Sequence, residues 1–143
     1  ILNKTDTSNI TIIHNDNWPQ GMGTSIAKTI SYLKDNQLEF DGLLVAACDQ
    51  PLIKLDHYKK LINGCINSGR IISSSYKGGS GIPVVFDKIY FSELSTLAED
   101  VGAKSIVKKH LDRLIQIDAP EAAFDLDTEG KYEQYYHTHG IEL

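Results

Sequence analysis

The sequence contains little cysteine or proline and no long apolar segment. Among its 143 residues are two cysteines, four prolines and one tryptophan. The longest wholly apolar run covers residues 43–48, far short of the roughly 20 residues that span a bilayer, and no secretory hydrophobic region is present. Cys48 and Cys65 lie in apolar sequence without metal-ligand spacing, so we expect a cytoplasmic protein with reduced, buried thiols.

Positive charge is also in short supply. Lysine and arginine number 14 against 19 aspartates and glutamates, and the formal net charge is −5. Nonspecific nucleic-acid binding needs a basic surface that displaces counterions, so we expect neither a nucleic acid nor a membrane as partner. With 41% hydrophobic and 23% charged residues, residues 1–143 have the composition of a single folded domain.

Short apolar runs alternate with segments of helical periodicity along the chain. The predicted strands are residues 9–13, 42–48, 71–74, 83–86 and 114–117, and the predicted helices are residues 24–34, 56–66, 90–97, 103–111 and 129–139. This alternation predicts an α/β fold of three layers, α/β/α, with a mostly parallel sheet covered on both faces. Ligands of such sheets bind beyond the carboxyl ends of the strands.

The strongest chemical signal follows the continuously apolar strand at residues 42–48. There the chain reads Asp49-Gln50-Pro51, and the proline forces the backbone out of the sheet. Asp49 therefore stands at the carboxyl edge, where a carboxylate can hold Mg²⁺ that phosphates also bind. The alternative is that Asp49 only caps the following loop through backbone N–H groups.

A second acidic pair precedes the last predicted helix. In an extended segment, side chains two residues apart share a face, so Asp125 and Asp127 point the same way and one of them completes a metal site with Asp49. The alternative is that Asp127 or Thr128 serves as the N-cap of the helix.

A loop of small residues precedes the first predicted helix. Gly21 and its neighbours in residues 18–25 leave backbone N–H groups free for an anion or a base edge. The alternative is an ordinary turn in which Thr24 or Ser25 is the N-cap.

Several short blocks occur in order and together extend over most of the chain. The blocks are Asn15-Asp16-Asn17-Trp18, Gly21-Met22-x-x-Ser25-Ile26, Asp49-Gln50-Pro51, Gly81-Ile82-Pro83-Val84-Val85-Phe86, Asp100-Val101-Gly102-Ala103-Lys104 and Asp125-Leu126-Asp127-Thr128. Taken together, they resemble the molybdenum cofactor cytidylyltransferase family, within the nucleotidyltransferases of Rossmann-like fold.

The resemblance implies a Mg²⁺-dependent transfer of CMP from CTP to the terminal phosphate of molybdopterin, with release of pyrophosphate. Such chemistry needs neutralised charge and in-line placement more than a protein nucleophile. Asp49 is then the catalytic residue and a Mg²⁺ ligand, with Asp125 or Asp127 as the second ligand. The product's recipient is expected to be a molybdoenzyme or its chaperone.

The same resemblance assigns binding residues on two sides of the reaction. The nucleotide side comprises Gly21, Met22, Ser25 and Asp49. The acceptor side comprises Gln50, Pro51, Gly81, Pro83, Asp100, Gly102 and Ala103.

The sequence also departs from the family pattern. The opening strand and glycine-rich loop with its Arg and Lys are absent, so we expect a domain incomplete at its N-terminus and inactive alone. Lys104 replaces an arginine, which loses the bidentate fork, and Glu99 replaces a glycine. Residues 129–131 read Glu-Gly-Lys instead of Pro-Glu-Asp. A guanylyltransferase of the same pathway and a noncatalytic nucleotide- or pterin-binding remnant remain alternatives.

Overall fold

The computed structural model describes residues 10–98 and 102–140. These residues fall into two compact units, the first drawn from residues 10–39, 91–98 and 102–106, and the second from residues 40–90 and 107–140. Asp100, expected on the acceptor side, lies outside the described residues.

The described α-helices lie close to their predicted positions. They are α1 (Met22–Asp35), α2 (Leu55–Cys65), α3 (Phe91–Leu94), α4 (Lys104–Lys109) and α5 (Glu129–His139). Short 3₁₀ helices occupy Trp18–Gln20, Lys88–Tyr90, Leu111–Arg113 and Pro120–Ala123. No helix in the described part of the chain is long and apolar enough to cross a membrane.

The second unit is built on a four-stranded sheet in the order β1-β3-β2-β4. Its strands are β1 (Gly42–Val45), β2 (Ile71–Tyr76), β3 (Gly79–Asp87) and β4 (Leu114–Asp118). Strand β2 pairs with β4 in parallel, whereas β3 is antiparallel to both β1 and β2. The predicted α/β class, with its Rossmann-like nucleotidyltransferase fold, is confirmed.

One strand departs from the parallel arrangement expected from the sequence. Strands β2 and β3 are joined by Lys77 and Gly78 alone, with φ of 51° and 76°. A two-residue turn with positive φ at both positions joins antiparallel strands, because parallel strands need a much longer crossover. Strands β1, β2 and β4 still run in one direction, so their carboxyl ends meet at one edge.

The first predicted strand was wrong for the residues described. Residues 10–13 form no regular strand, and Ile10 and Ile12 are 51% and 64% exposed. Their β-branched composition favours an extended chain, but a strand also needs a neighbour that accepts its backbone hydrogen bonds.

The core of the second unit explains why α2 covers the sheet. Leu61 and Cys65, one turn apart on α2, pack against Ile72 of β2 and Val85 of β3. All four side chains are at most 4% exposed, and such burial contributes about 1.5–3 kcal/mol for each large aliphatic side chain. The fixed sheet in turn holds the loops at its carboxyl edge.

Candidate functional site

Asp49 and the acidic pair at Asp125 and Asp127 come together in the structure. The loop after β1 carries Asp49, whose backbone oxygen accepts a hydrogen bond of 2.9 Å from the amide of Leu126. This contact joins segments that are far apart in sequence and sets Asp49 beside the residue between the two aspartates. At the carboxyl edge expected from the sequence, the structure therefore brings the backbone of Asp49 to the segment that holds Asp125 and Asp127.

A lysine that the sequence analysis did not single out as functional completes this cluster. Lys131 donates a hydrogen bond from its ammonium to Asp125 Oδ1. That bond holds the pKa of Asp125 below its usual range and raises the pKa of Lys131. The negative charges of Asp127 and Asp49 raise the pKa of Lys131 further.

Lys131 is placed by the start of α5. The side chain of Thr128 accepts a hydrogen bond from the Lys131 amide at 3.4 Å, so Thr128 is the N-cap, one of the two residues proposed for that role. Asp127 precedes the cap and is exposed. The signal available in the sequence was a lysine in the first helical turn, where the helix dipole disfavours a cation.

The donor set suits a hard divalent cation. Carboxylate oxygens are the protein ligands that Mg²⁺ prefers, usually one or two of them together with substrate phosphates. Within residues 10–98 and 102–140, no three acidic, histidine or cysteine side chains are already arranged around one metal position. A Mg²⁺ site at Asp49 with Asp125 or Asp127 therefore stays a prediction.

Gln50 lies directly beside Asp49 but inside the protein. It is 8% exposed, and its side-chain nitrogen donates a 2.8 Å hydrogen bond to the backbone oxygen of Ala122. Its Oε1 atom has no hydrogen-bond partner among the described residues. A buried amide oxygen without a donor costs about 1–3 kcal/mol, and this atom is enclosed by the protein. Pro51 follows it and is half-buried.

Gly81 and Pro83 lie on β3, where contacts within the protein constrain both. A Cβ added at Gly81 would lie 2.3 Å from the Tyr76 hydroxyl oxygen, so the tyrosine ring fills the space beside this glycine. Pro83 is fully buried, and its backbone oxygen accepts a 2.8 Å hydrogen bond from Ser74 Oγ. Pro83 therefore shapes the strand rather than presenting its ring to a ligand.

A buried histidine adjoins this strand and was missed by sequence reasoning. His57 Nε2 of α2 lies 2.8 Å from Ser74 Oγ. Because the serine proton is given to the oxygen of Pro83, His57 Nε2 must be the donor. Burial lowers the pKa of His57, and the charge of Lys60 acts in the same direction against that of Glu121.

In the first unit, the glycine loop is tied to the helix that follows it. Asn15 donates from Nδ2 to Thr24 Oγ1 at 2.9 Å and to Ser25 Oγ at 3.0 Å. Gly21, with φ of 111°, is the N-cap of α1, so the alternative with Thr24 or Ser25 at that position was wrong. Met22 opens the helix and is 60% exposed.

The remaining predicted residues of this unit are Gly102 and Ala103. Gly102 is buried with φ of 53°, a conformation that favours glycine. Its backbone oxygen accepts a 3.3 Å hydrogen bond from Ser105 Oγ. Ala103 is half-buried before α4.

The two cysteines differ in environment. Cys65 is buried, whereas Cys48, one residue before Asp49, is exposed. The expectation that both thiols are buried was wrong for Cys48, because β1 ends at Val45 and the chain has already left the sheet.

Comparison with protein-family models shows which family the chain belongs to. The model of the MobA-like NTP transferase domain matches residues 2–114. The chain belongs to this family. The nucleotidyltransferase relationship inferred from the sequence is confirmed at that level, and no curated protein matches the chain significantly.

Solved structures support the fold. A homologue of Rv0371c from Mycobacterium sp. strain JC1 is similar at 23% identity with a TM-score of 0.61, over 78% of this chain and 57% of that one. Rv0371c from Mycobacterium tuberculosis gives 22% identity and a TM-score of 0.59, over 80% and 59%. Its complex with manganese gives 26% and 0.51, over 66% and 50%. The chain thus spans less than two thirds of each of these structures.

Proposed function

We propose that the protein transfers CMP from CTP to the terminal phosphate of molybdopterin and releases pyrophosphate. The observation that carries the proposal is the hydrogen bond from the Leu126 amide to the Asp49 backbone oxygen. The chain belongs to the NTP transferase family, and this hydrogen bond brings Asp49 next to residues 125–127. The resemblance of the surrounding blocks to cytidylyltransferases supplies the choice of CTP and molybdopterin.

The metal proposed for this site is Mg²⁺, held by Asp49 and Asp127. Asp125 is already hydrogen-bonded to Lys131, whereas Asp127 is exposed, which favours Asp127 as the second ligand. Rv0371c, similar in fold, has been solved with manganese, another divalent cation. When bound, such an ion neutralises charge on the triphosphate.

The transfer itself needs no protein nucleophile. A terminal phosphate oxygen of molybdopterin forms a bond to the α-phosphorus of CTP, and the bond from that phosphorus to the bridging oxygen breaks. Pyrophosphate leaves with the electron pair. The protein's part is to hold two anions in line, with Asp49 placing the nucleotide phosphates and Gln50 assigned by the resemblance to the molybdopterin side.

The remaining residues take their proposed roles from the resemblance. We assign Gly21, Met22 and Ser25 to the nucleotide, and Pro51, Gly81, Asp100, Gly102 and Ala103 to the acceptor. Pro83 acts by shaping β3. A cytoplasmic molybdoenzyme or its chaperone would receive the product.

The test is a substitution at Asp49 in the protein as its source makes it. Asp49→Asn keeps the size of the side chain but removes the charge, so we expect Mg²⁺-dependent release of pyrophosphate from CTP to fall by about 100-fold or more. Asp41→Asn is the matched control, because Asp41 is an exposed aspartate just before the other end of β1, paired with Lys88. Near-normal turnover of Asp49→Asn would show that the metal assignment is wrong.

A further inference from the structure

The position of Lys131 is unusual for a residue whose only role is structural. It is the third residue of α5, counted from Glu129, where the positive end of the helix dipole disfavours an ammonium group. Its side chain nevertheless turns to the carboxyl edge and binds Asp125, with 40% of the lysine and 26% of the aspartate side chain exposed. Carboxylates, not the helix, hold the cation there.

The charges at this edge are unbalanced without a second cation. Asp49, Asp125 and Asp127 carry three negative charges within range of the single Lys131 ammonium, which leaves 3 − 1 = 2 negative charges. A divalent cation would neutralise the remainder. The lysine and the metal then repel each other because both are positively charged, and they compete for the same carboxylate oxygens.

We propose that Lys131 is a movable counter-cation, which neutralises the carboxylates before metal and nucleotide bind and then shifts from Asp125 to the phosphates. The inference rests on the proposed function and adds a positioning residue to it. A lysine suits the role, since its compact charge sits on a flexible four-carbon stem with three donors. When metal and phosphate bind together, the metal neutralises the carboxylates and the phosphates add negative charge. The ammonium then leaves Asp125 and binds the phosphates.

Lys131→Met tests the proposal, because it keeps the length of the side chain and removes the charge. We expect Mn²⁺ to bind this variant about three- to tenfold more tightly than the unaltered protein without nucleotide, since a repelling charge is lost. With Mn²⁺ saturating, we expect pyrophosphate to bind about three- to tenfold more weakly, since a donor to phosphate is lost. Calorimetric titration measures both affinities.

Two further variants fix the interpretation. Lys88→Met removes the same charge from another exposed Lys–Asp pair, at the opposite end of β1, and should leave both affinities unchanged. Lys131→Arg keeps the charge and should bind Mn²⁺ within about twofold of the unaltered protein, so its result stands even if Lys131→Met folds poorly. Unchanged or weaker Mn²⁺ binding by Lys131→Met, or Mn²⁺ binding at least threefold tighter by Lys131→Arg, would overturn the role of Lys131.

Failure of the proposed function gives a different pattern. Asp49→Asn should weaken Mn²⁺ binding if the metal site is real. If Asp49→Asn weakens it and Lys131→Met has no effect, only the role of Lys131 is wrong. If the unaltered protein binds no Mn²⁺, or Asp49→Asn binds it equally well, both the metal site and the role of Lys131 are refuted.

Discussion

Gly81 offers a sharp test of how β2 and β3 pack at the carboxyl edge. An added Cβ would lie 2.3 Å from the hydroxyl oxygen of Tyr76 and 2.5 Å from its Cζ atom. Tyr76 packs against the cluster of Ile53, Ala119 and Ala122, so the ring cannot shift without loosening those contacts. Overpacking of this kind costs about 1–3 kcal/mol. We therefore expect Gly81→Ala to lower the free energy of unfolding by that amount.

Urea unfolding followed by circular dichroism measures the free energy of unfolding. In a thermal scan, the melting temperature is expected to fall by about 3–10 °C. Gly79→Ala is the control, because a Cβ at Gly79 meets nothing within 4 Å among the described residues. It should change stability by less than about 0.5 kcal/mol. In a double-mutant cycle, Tyr76→Ala should remove most of the Gly81→Ala penalty. Equal effects at Gly79 and Gly81, or no coupling to Tyr76, would refute the packing account.

Two other predictions concern titratable groups in the second unit. Burial lowers the pKa of His57 below the usual histidine value of 6.5, so the unfolded chain takes up a proton first. Stability should therefore be full above pH 6.5 and fall as the pH drops below it, and urea unfolding of His57→Gln should lack this pH dependence. Burial raises the pKa of the Cys65 thiol to about 11, whereas Cys48 is exposed. At pH 8 a thiol reagent should therefore label Cys48 rapidly and Cys65 only after denaturant is added. Fast labelling of both thiols in the native chain, or of Cys65 in Cys48→Ser, would contradict the burial of Cys65.

Sequence periodicity predicted those elements that form from local signals. The apolar run at residues 42–48 identified β1, although the strand ends at Val45. The N-cap candidate Thr128 and the helical periodicity that follows it predicted α5 with its observed bounds. The strand predicted at residues 9–13 is not formed over residues 10–13, because β-branched composition does not supply a partner strand. The antiparallel direction of β3 depended on positive φ at Lys77 and Gly78, which periodicity does not encode.

The candidate site was predictable in part for the same reason. Asp49 was found because an apolar run ends just before it, and the same reasoning placed Asp125 and Asp127 at the carboxyl edge. Thr128 was one of two N-cap candidates in the sequence, but Lys131 also required a specific ion pair with Asp125, which spacing alone does not supply. The hydrogen bond of Gln50 to Ala122 joins residues far apart in sequence. The sequence therefore could not predict that Gln50 Oε1 has no partner among the described residues.

The central claim is the transfer of CMP to molybdopterin, and one product analysis tests it most directly. The protein as its source makes it is incubated with Mg²⁺, molybdopterin and either CTP or GTP, and the products are identified by mass spectrometry. We expect a cytidine dinucleotide of molybdopterin and pyrophosphate in equal amounts with CTP, and far less product with GTP. A guanine dinucleotide would contradict the choice of nucleotide. Nucleotide binding without molybdopterin-dependent release of pyrophosphate would contradict transfer itself.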